Sequence, residues 1–432
     1  MRIAIAGYGL EGKSNYAYYA ALGHAPVIVD ERSDVDDLPG GAEVILGQNA
    51  FSKLDGFDLV IRTAGLPPRK IKTDGKIWSA TNEFFDKCPA PIIGVTGTKG
   101  KGTTSSFIAS ILKAAGKDVH LVGNIGSPAL DELPKITKDS VVVYELSSFQ
   151  LWDFVGSPDV AVILMIEPDH LNVHADMADY LSAKANLVKN LKAGAKVYYY
   201  PYNELSDRVA SQLSGSDKTL AIPYAIKRPG SVYLDSGIIK IDGKAVAPVS
   251  AIKLPGVHNV ENACAAVSAA LNFTTDFEAI EKGLSDFKGL DHRLKYVDTI
   301  AGVKFYDDSI ATTPGSAMAA IKSFKQPKII ILGGADKGAD YSDLIELCAE
   351  TGTDVVAIGE NRHKIKRLCE LKMVFCDEVD GDMRQIVRYS MMFAKRGDVI
   401  ILSPAAASFD MFESYKDRGD QFVQAVKYWG GK

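Results

Sequence analysis

The run Gly94-Val95-Thr96-Gly97-Thr98-Lys99-Gly100-Lys101-Gly102-Thr103-Thr104 sets glycines, hydroxyls and two lysines between an apolar segment, Pro91-Ile92-Ile93, and a helical pattern over Phe107 to Leu112. A strand that turns through glycines onto a helix N-terminus is a phosphate cradle. Backbone N–H groups can approach the anion, the helix dipole favours it, and Lys101 adds a point charge. The spacing departs from the usual phosphate loop: five residues separate Gly94 from Gly100, and Gly102 follows the lysine where Ser or Thr is usual.

Further candidates fall at the ends of predicted strands, where open α/β sheets place ligands. Tyr144-Glu145-Leu146-Ser147-Ser148-Phe149-Gln150 closes one apolar run, and Glu145 is placed to hold Mg²⁺, a hard cation that takes oxygen ligands. A solvated strand-end carboxylate would need no such role; the shared domain with the phosphate loop favours the cation. Glu167-Pro168-Asp169-His170 follows the run Val160 to Ile166, so His170 reads as a structural histidine or a ligand. Lys184, on a helix with Tyr180 and Ser182, reads from the residues alone as an ordinary helix lysine. Near the C-terminal end, Tyr306 to Pro314, Gly333 to Gly338 and Ser403 to Asp410 cluster carboxylates and hydroxyls after three predicted strands. Ser309 and Ser408 could be simple helix caps, but three such loops on one sheet edge point to a site. Arg293, between two units, would reach nucleotide phosphates on domain closure, which excludes water from phosphoryl transfer.

The elements that position these residues read as α/β units. The chain opens with strand Ile3 to Ala6, Gly7-Tyr8-Gly9-Leu10-Glu11-Gly12, a helix through Ala21 and strand Pro26 to Asp30, which ends on an acid 18 residues after Gly12. This is a Rossmann-like opening for a nucleotide-type ligand. Near-continuous apolar runs at Val141 to Leu146 and Val160 to Ile166 suit a parallel sheet covered on both faces. Residues 231–248 alternate as a small antiparallel flap, and a helix is expected over Asn262 to Leu271. Strands at Val303 to Asp307, Lys328 to Leu332, Val355 to Ile358 and Val399 to Leu402 build the last unit. The predicted class is therefore α/β with three domains: 1–88 Rossmann-like, 89–289 a parallel-sheet ATPase-like domain, and 290–432 a second Rossmann-like domain.

With 432 residues and a net charge of -5, the chain is expected to hold several domains and to bind neither nucleic acid nor anionic surfaces in bulk. Five scattered cysteines read as reduced core thiols. Neither a signal-peptide pattern nor a spanning apolar run is seen, so a cytoplasmic protein without membrane insertion is expected. The residues together describe an ATP- and Mg²⁺-dependent enzyme whose substrate they leave open.

Gly97-Thr98-Lys99-Gly100-Lys101, Glu145 to Leu151, Asp169-His170-Leu171, Pro255 to Asn259, His292-Arg293 and Asp308-Ser309 together resemble the Mur ligases of peptidoglycan synthesis. Gly333-Gly334 with Lys337, Leu402 to Ser408 and Arg418-Gly419 resemble the glutamate-adding branch. The likeness runs over essentially the whole chain. It implies an ATP-dependent amide ligase that joins D-glutamate to UDP-N-acetylmuramoyl-L-alanine through an acyl phosphate, acting as a monomer. Gly9, Leu10, Glu11 and Gly12 would hold the diphosphate, with Asp30, Glu31 and Arg32 near uridine. Gly97 to Thr104, through Lys101, Gly102 and Thr103, would bind ATP phosphates. Glu145 would hold one Mg²⁺ and His170 with a carbamylated Lys184 a second. Asn124, Ser147 and Gln150 would meet the muramoyl-alanine end, and Asn259 and Asn262 adenine. Arg293 and Asp308 would take phosphates and ribose, and Thr312, Lys337, Ser408 and Phe409 the incoming glutamate.

Three positions depart from the family pattern. Gly102 passes the metal-binding hydroxyl to Thr103 and resembles the folylpolyglutamate synthetase branch. Met165 stands where Asn is common, and Ile310 where a lysine would face the glutamate carboxylate. Addition of L-glutamate to the same nucleotide, a folylpolyglutamate synthase-like reaction and a non-catalytic nucleotide-binding protein are the competing readings.

Overall fold

The computed structural model describes residues 1–124, 128–213 and 221–431. They form two compact units, Met1–Ile252 with His258–Phe287, and Lys253–Val257 with Lys288–Lys432. The protein is α/β throughout.

The first unit holds three sheets. Strands β1 (Ile3–Ala6), β2 (Val27–Asp30), β3 (Val44–Leu46), β4 (Leu59–Arg62) and β5 (Lys76–Ser79) form a parallel sheet in the order β3-β2-β1-β4-β5. A second parallel sheet contains β6 (Ile92–Thr96), β7 (Asp118–Gly123), β8 (Ser140–Glu145), β9 (Val160–Ile163), β10 (Lys196–Tyr199) and β11 (Ala221–Pro223), ordered β11-β10-β9-β6-β8-β7. Every residue of β6, β8 and β9 is buried. That is why these strands read as apolar runs rather than as alternation: helices cover both faces. The alternating segment folds as expected into an antiparallel meander, β12 (Val232–Asp235), β13 (Ile238–Ile241) and β14 (Lys244–Pro248).

The second unit is built on one six-stranded sheet of β15 (Lys295–Ile300), β16 (Val303–Asp307), β17 (Lys328–Gly333), β18 (Thr353–Ile358), β19 (Cys376–Glu378) and β20 (Val399–Leu402). Their order is β15-β16-β20-β17-β18-β19, and only β15 runs antiparallel to its neighbour. The loops after β16, β17 and β20 therefore leave the same sheet edge side by side.

Two expected boundaries move. The apolar run Val160 to Ile166 pairs as a strand only to Ile163. Beyond it, Leu164 N–H bonds the Thr96 carbonyl and the Met165 carbonyl takes the Thr98 N–H, so the run closes over the phosphate loop. The helix expected from Asn262 starts at Val257, which makes Asn259 helical. The cysteines are free, as expected, with Cys264, Cys348 and Cys369 buried. No helix of the described residues is long and apolar enough to cross a membrane.

A buried arginine joins the first two sheets. Arg62, at the end of β4, is fully buried. Its guanidinium forks onto Asp153 through Nε (2.8 Å) and Nη2, reaches the Phe149 carbonyl (2.9 Å) and takes three further carbonyls, of Thr63, Ala64 and Leu66. Bidentate geometry and fully used donors make such a burial tolerable, and removal of one partner strands the other charge. Arg62→Met is expected to destabilise the first unit by about 3 kcal/mol or more, read as a lower urea midpoint; an unchanged midpoint would show the pair to be dispensable.

Candidate active site

The phosphate loop forms between β6 and the helix Lys101–Ala114, as its residue types require. Gly100 caps that helix at φ +85°, and a Cβ there would lie 2.4 Å from Asn262 Oδ1. Glycine is thus required twice, for a left-handed backbone and for the close approach of the helix that carries Asn259 and Asn262. Asn262 thus lies against the loop, and its Nδ2 donates to Asn259 Oδ1 at 3.3 Å.

Two lysines converge on the loop. Lys101 Nζ donates to the carbonyls of Gly97 (3.2 Å) and Thr98 (3.0 Å), and Lys184 Nζ donates to the same Gly97 carbonyl at 2.7 Å. Lys184 is buried, its ammonium over the Tyr180 ring. Burial, with the Lys101 charge beside it, pushes its pKa well below the usual lysine range. What reads in the sequence as an ordinary helix lysine is an amine held at the phosphate loop in a poorly solvated place. Thr98 is occupied internally: its hydroxyl bonds Tyr180 Oη (2.8 Å) and both backbone groups of Glu167. Lys99 is more exposed and pairs with Glu167 at 2.9 Å. Gly102, Thr103 and Thr104 are buried in the first helical turn, where the hydroxyl of Thr104 has no hydrogen-bond partner.

Glu145 ends β8, the neighbour of β6, and is buried. Asn124 Nδ2 donates to Oε1 at 3.3 Å, while Oε2 is buried without a partner. An orphaned carboxylate oxygen beside a phosphate loop fits a hard divalent cation. Among the described residues no three His, Cys, Asp or Glu side chains form a ready metal cluster. His170 is half exposed at φ +55°, packed on the Phe149 ring at 4.8 Å. Burial lowers its pKa, Asp169 opposing and the Lys101 charge assisting, which favours the neutral imidazole that a metal ligand needs. Ser147 and Gln150 form one turn, the Gln150 Oε1 accepting from both Ser147 N and Oγ.

In the first sheet, Asp30 ends β2 and accepts from Tyr8 N, Arg32 N and the Arg32 guanidinium. Burial opposes its ionisation, but these donors outweigh it and hold the pKa at about 2. Gly9 caps the helix Leu10–Ala21, Leu10 is exposed, and Gly12 is buried in that helix. Glu11 accepts from Ala64 N at 2.7 Å, with its pKa raised by burial. Glu31 pairs with Lys70.

The second unit gathers its own cluster at the strand ends. His292 bonds Asp307 at 2.7 Å, and Asp308 accepts from Ser403 Oγ (2.6 Å) and Leu294 N (3.0 Å). Arg418 is buried and donates to Ser309 Oγ, to the Ser309 carbonyl and to the Ala406 carbonyl. A Cβ on Gly419 would lie 2.0 Å from the His292 ring, which explains the Arg-Gly pair. Ser309 and Ser408 are not helix caps. Ser309 Oγ is committed to Arg418 and the Tyr415 carbonyl, and the helix Pro314–Lys322 is capped by Thr313. Ser408 is buried in a turn, and the helix Tyr415–Gly430 is capped by Ser414. Lys337 lies over the Phe409 ring at 5.6 Å, and the loops that carry them are bridged at Ala335 and Ala407. Thr312 is exposed ahead of its helix, and Arg293 lowers the Asp308 pKa by its charge.

Residues 95–270 match the model of the Mur ligase middle domain, and residues 292–406 that of the Mur ligase glutamate ligase domain. The UDP-N-acetylmuramoylalanine--D-glutamate ligase of Clostridium kluyveri is 35% identical over 444 residues, which cover 98% of this chain and 96% of that one. The chain belongs to the Mur ligase family. Solved members share the fold at low identity. The UDP-N-acetylmuramate-alanine ligase MurC of Thermotoga maritima aligns with a TM-score of 0.63 at 19% identity, covering both chains fully. MurF of Thermotoga maritima, solved in complex with ADP, aligns at 0.60 and 17% identity over 99% of this chain and 94% of that one.

Two residues that matter to this ligase escaped the sequence reading. Arg62 is one. The other is His174, whose buried ring bonds Asp179 through Nδ1 and Ser148 Oγ through Nε2, both at 2.9 Å. It ties the loop after Glu145 to the helix that carries Lys184. Spacing could have hinted at it, four residues from His170; nothing in its own residue type does.

Asp308 gives a pH signature. Burial raises its pKa to about 7 against the Ser403, Leu294 and Arg293 contributions. The native state then holds a proton that the unfolded chain releases near pH 4, so stability falls as pH rises from about 4 to about 7 and levels off above. Asp308→Asn is expected to melt higher than the parent chain at pH 8, by a margin that shrinks toward zero as pH drops to 4. A margin independent of pH would contradict the assignment.

Proposed function

We infer that this chain is an ATP-dependent ligase of peptidoglycan synthesis that adds D-glutamate to UDP-N-acetylmuramoyl-L-alanine. The observation that carries the reading is the meeting of Lys101 and Lys184 at the Gly97 carbonyl, beside a buried Glu145 with a free carboxylate oxygen. The full-length likeness to curated D-glutamate ligases supports the substrate pair.

The chemistry follows from charge. The alanine carboxylate is a poor acyl donor, so its oxygen attacks the γ-phosphorus of ATP; ADP leaves and an acyl phosphate remains. The glutamate amine then attacks the acyl carbon, loses a proton, and phosphate departs as the amide forms. Lys101 meets the phosphates, with Thr103 in the same helical turn offering a hydroxyl. Asn259 and Asn262 receive the adenine end. Arg293 and Asp308 are assigned to the phosphates and ribose, and Lys337, Phe409, Ser408 and Thr312 to glutamate. The Asp30–Arg32 pair and the Gly9 to Gly12 turn serve the UDP end, and Asn124, Ser147 and Gln150 the muramoyl-alanine end.

Glu145, His170 and Lys184 are the residues that would hold Mg²⁺, which when bound neutralises charge on the transferring phosphoryl group. The neutral amine is the form that reacts with CO₂ to give a carbamate, and burial at the loop favours that form of Lys184, which supports carbamylation as the source of its oxygen ligand.

Release of ADP should require UDP-N-acetylmuramoyl-L-alanine and D-glutamate together. Release driven by L-glutamate instead would move the enzyme to the other stereochemistry, and release driven by a folate would overturn the reading. Lys184→Ala is expected to lose at least about a hundredfold in kcat, the scale of one lost electrostatic contact in the transition state. Full activity in that variant would remove Lys184 from the machinery.

A further inference from the structure

Away from the candidate site, the second unit exposes an apolar rim. Leu371 is 74% exposed, Met373 95%, Phe375 45% and Met392 70%. The first three form the turn between the helix Arg362–Leu371 and β19, the outermost strand of the sheet. Met392 lies at the end of the helix Met383–Phe393, and the two ends meet where the Phe375 and Phe393 rings stand 5.0 Å apart. Met392 thus stands next in sequence to the ring that meets the turn.

The backbone at the tip is costly. Val374 N–H bonds the Cys369 carbonyl and Met373 N–H the Glu370 carbonyl, closing the helix with Met373 at φ +55°. Glycine normally takes this left-handed closing position, and a side chain there is strained. At 95% exposure, packing within the fold returns nothing for that strain. Large apolar side chains set out in water on a strained turn are explained by a surface that covers them.

Charge says what kind of surface. Residues 362–397 contain nine lysines and arginines against five acids, Glu370, Asp377, Glu378, Asp380 and Asp382, so the segment is net positive in a chain whose net charge is -5; Arg362 is taken up by Asp380 and Lys364 by Asp336. Arg367, Lys372, Lys395 and Arg396 are exposed beside the apolar tip in sequence, and Lys372 is shared with Glu346 at 3.4 Å. A second copy docked by its own rim would set these cations against each other. Exposed apolar side chains with exposed cations next to them in sequence match an acidic lipid surface, with hydrocarbon below and anionic headgroups around.

We propose that this rim is a peripheral docking site for an anionic bilayer, with Leu371, Met373, Phe375 and Met392 entering the headgroup layer and the neighbouring cations facing acidic lipids. The test uses the full chain and co-sedimentation with phosphatidylglycerol-containing vesicles, with pure phosphatidylcholine vesicles as control. Binding is expected to the anionic vesicles alone and to weaken at high salt. Met373→Gly, which relieves the strain and removes the apolar tip, should fold and melt no lower while binding falls severalfold. Arg367→Glu with Arg396→Glu should abolish binding, and both variants should keep the ADP release of the parent in vesicle-free solution. Absence of binding to anionic vesicles, equal binding to both lipids, or parental binding by the variants would overturn the proposal. So would a dimer in sedimentation velocity that Met373→Gly dissociates, which would assign the rim to a second copy.

Discussion

A single carbonyl oxygen organises the first unit. Gly97 O accepts from Lys101, which arrives from its own helix, and from Lys184, which arrives from a helix more than eighty residues further on. Two ammonium groups on one acceptor, one of them buried, are electrostatically unfavourable unless one gives up its proton or an anion arrives. The surrounding contacts keep both in place. Tyr180, one turn before Lys184, holds Thr98, and His174 and Asp179 tie the same helix to Ser148. The residues after β9 fold back to bond the loop, which is why that strand stops early. These contacts together fix the shape of the loop and hold both amines against it.

The second unit meets a related constraint with different groups. Asp307, Asp308, His292 and Arg418 are all buried at the edge of one sheet. Asp307 raises the His292 pKa through their hydrogen bond, while desolvation raises that of Asp308 and lowers that of Arg418 to about 10. Buried charges of this kind rarely add net stability. Each here has hydrogen-bond partners, and Gly419 exists to let the His292 ring approach. The arrangement holds the backbone of Asp308 and Ser309 in one conformation at the point where the loops after β16 and β20 meet.

Much of this was legible beforehand, and for identifiable reasons. Strands buried on both faces show as apolar runs, so β8, β17 and β20 could be placed within a residue or two. Gly100-Lys101 announces a phosphate loop because glycine and lysine at that spacing have few other uses. Glu145 could be proposed from its position alone, since a strand and its end are local features. The edge strands β7, β11 and β19 were not legible. They carry mixed residues, and sheet neighbours, not their own pattern, hold them.

Local sequence therefore determined the α/β class, the phosphate loop and the strand-end carboxylates, because each depends on residues within one turn or one strand. Tertiary structure alone decided what Arg62, His174 and Lys184 do. An arginine at a strand end, a histidine after a turn and a lysine on a helix look ordinary until a distant segment removes their water. Arg62 becomes a tie because Asp153 lies against it, ninety-one residues away in sequence. Lys184 becomes chemically distinct because burial and the Lys101 charge act on it together. Desolvation and charge proximity depend on where the chain returns in space, and no local pattern encodes that return.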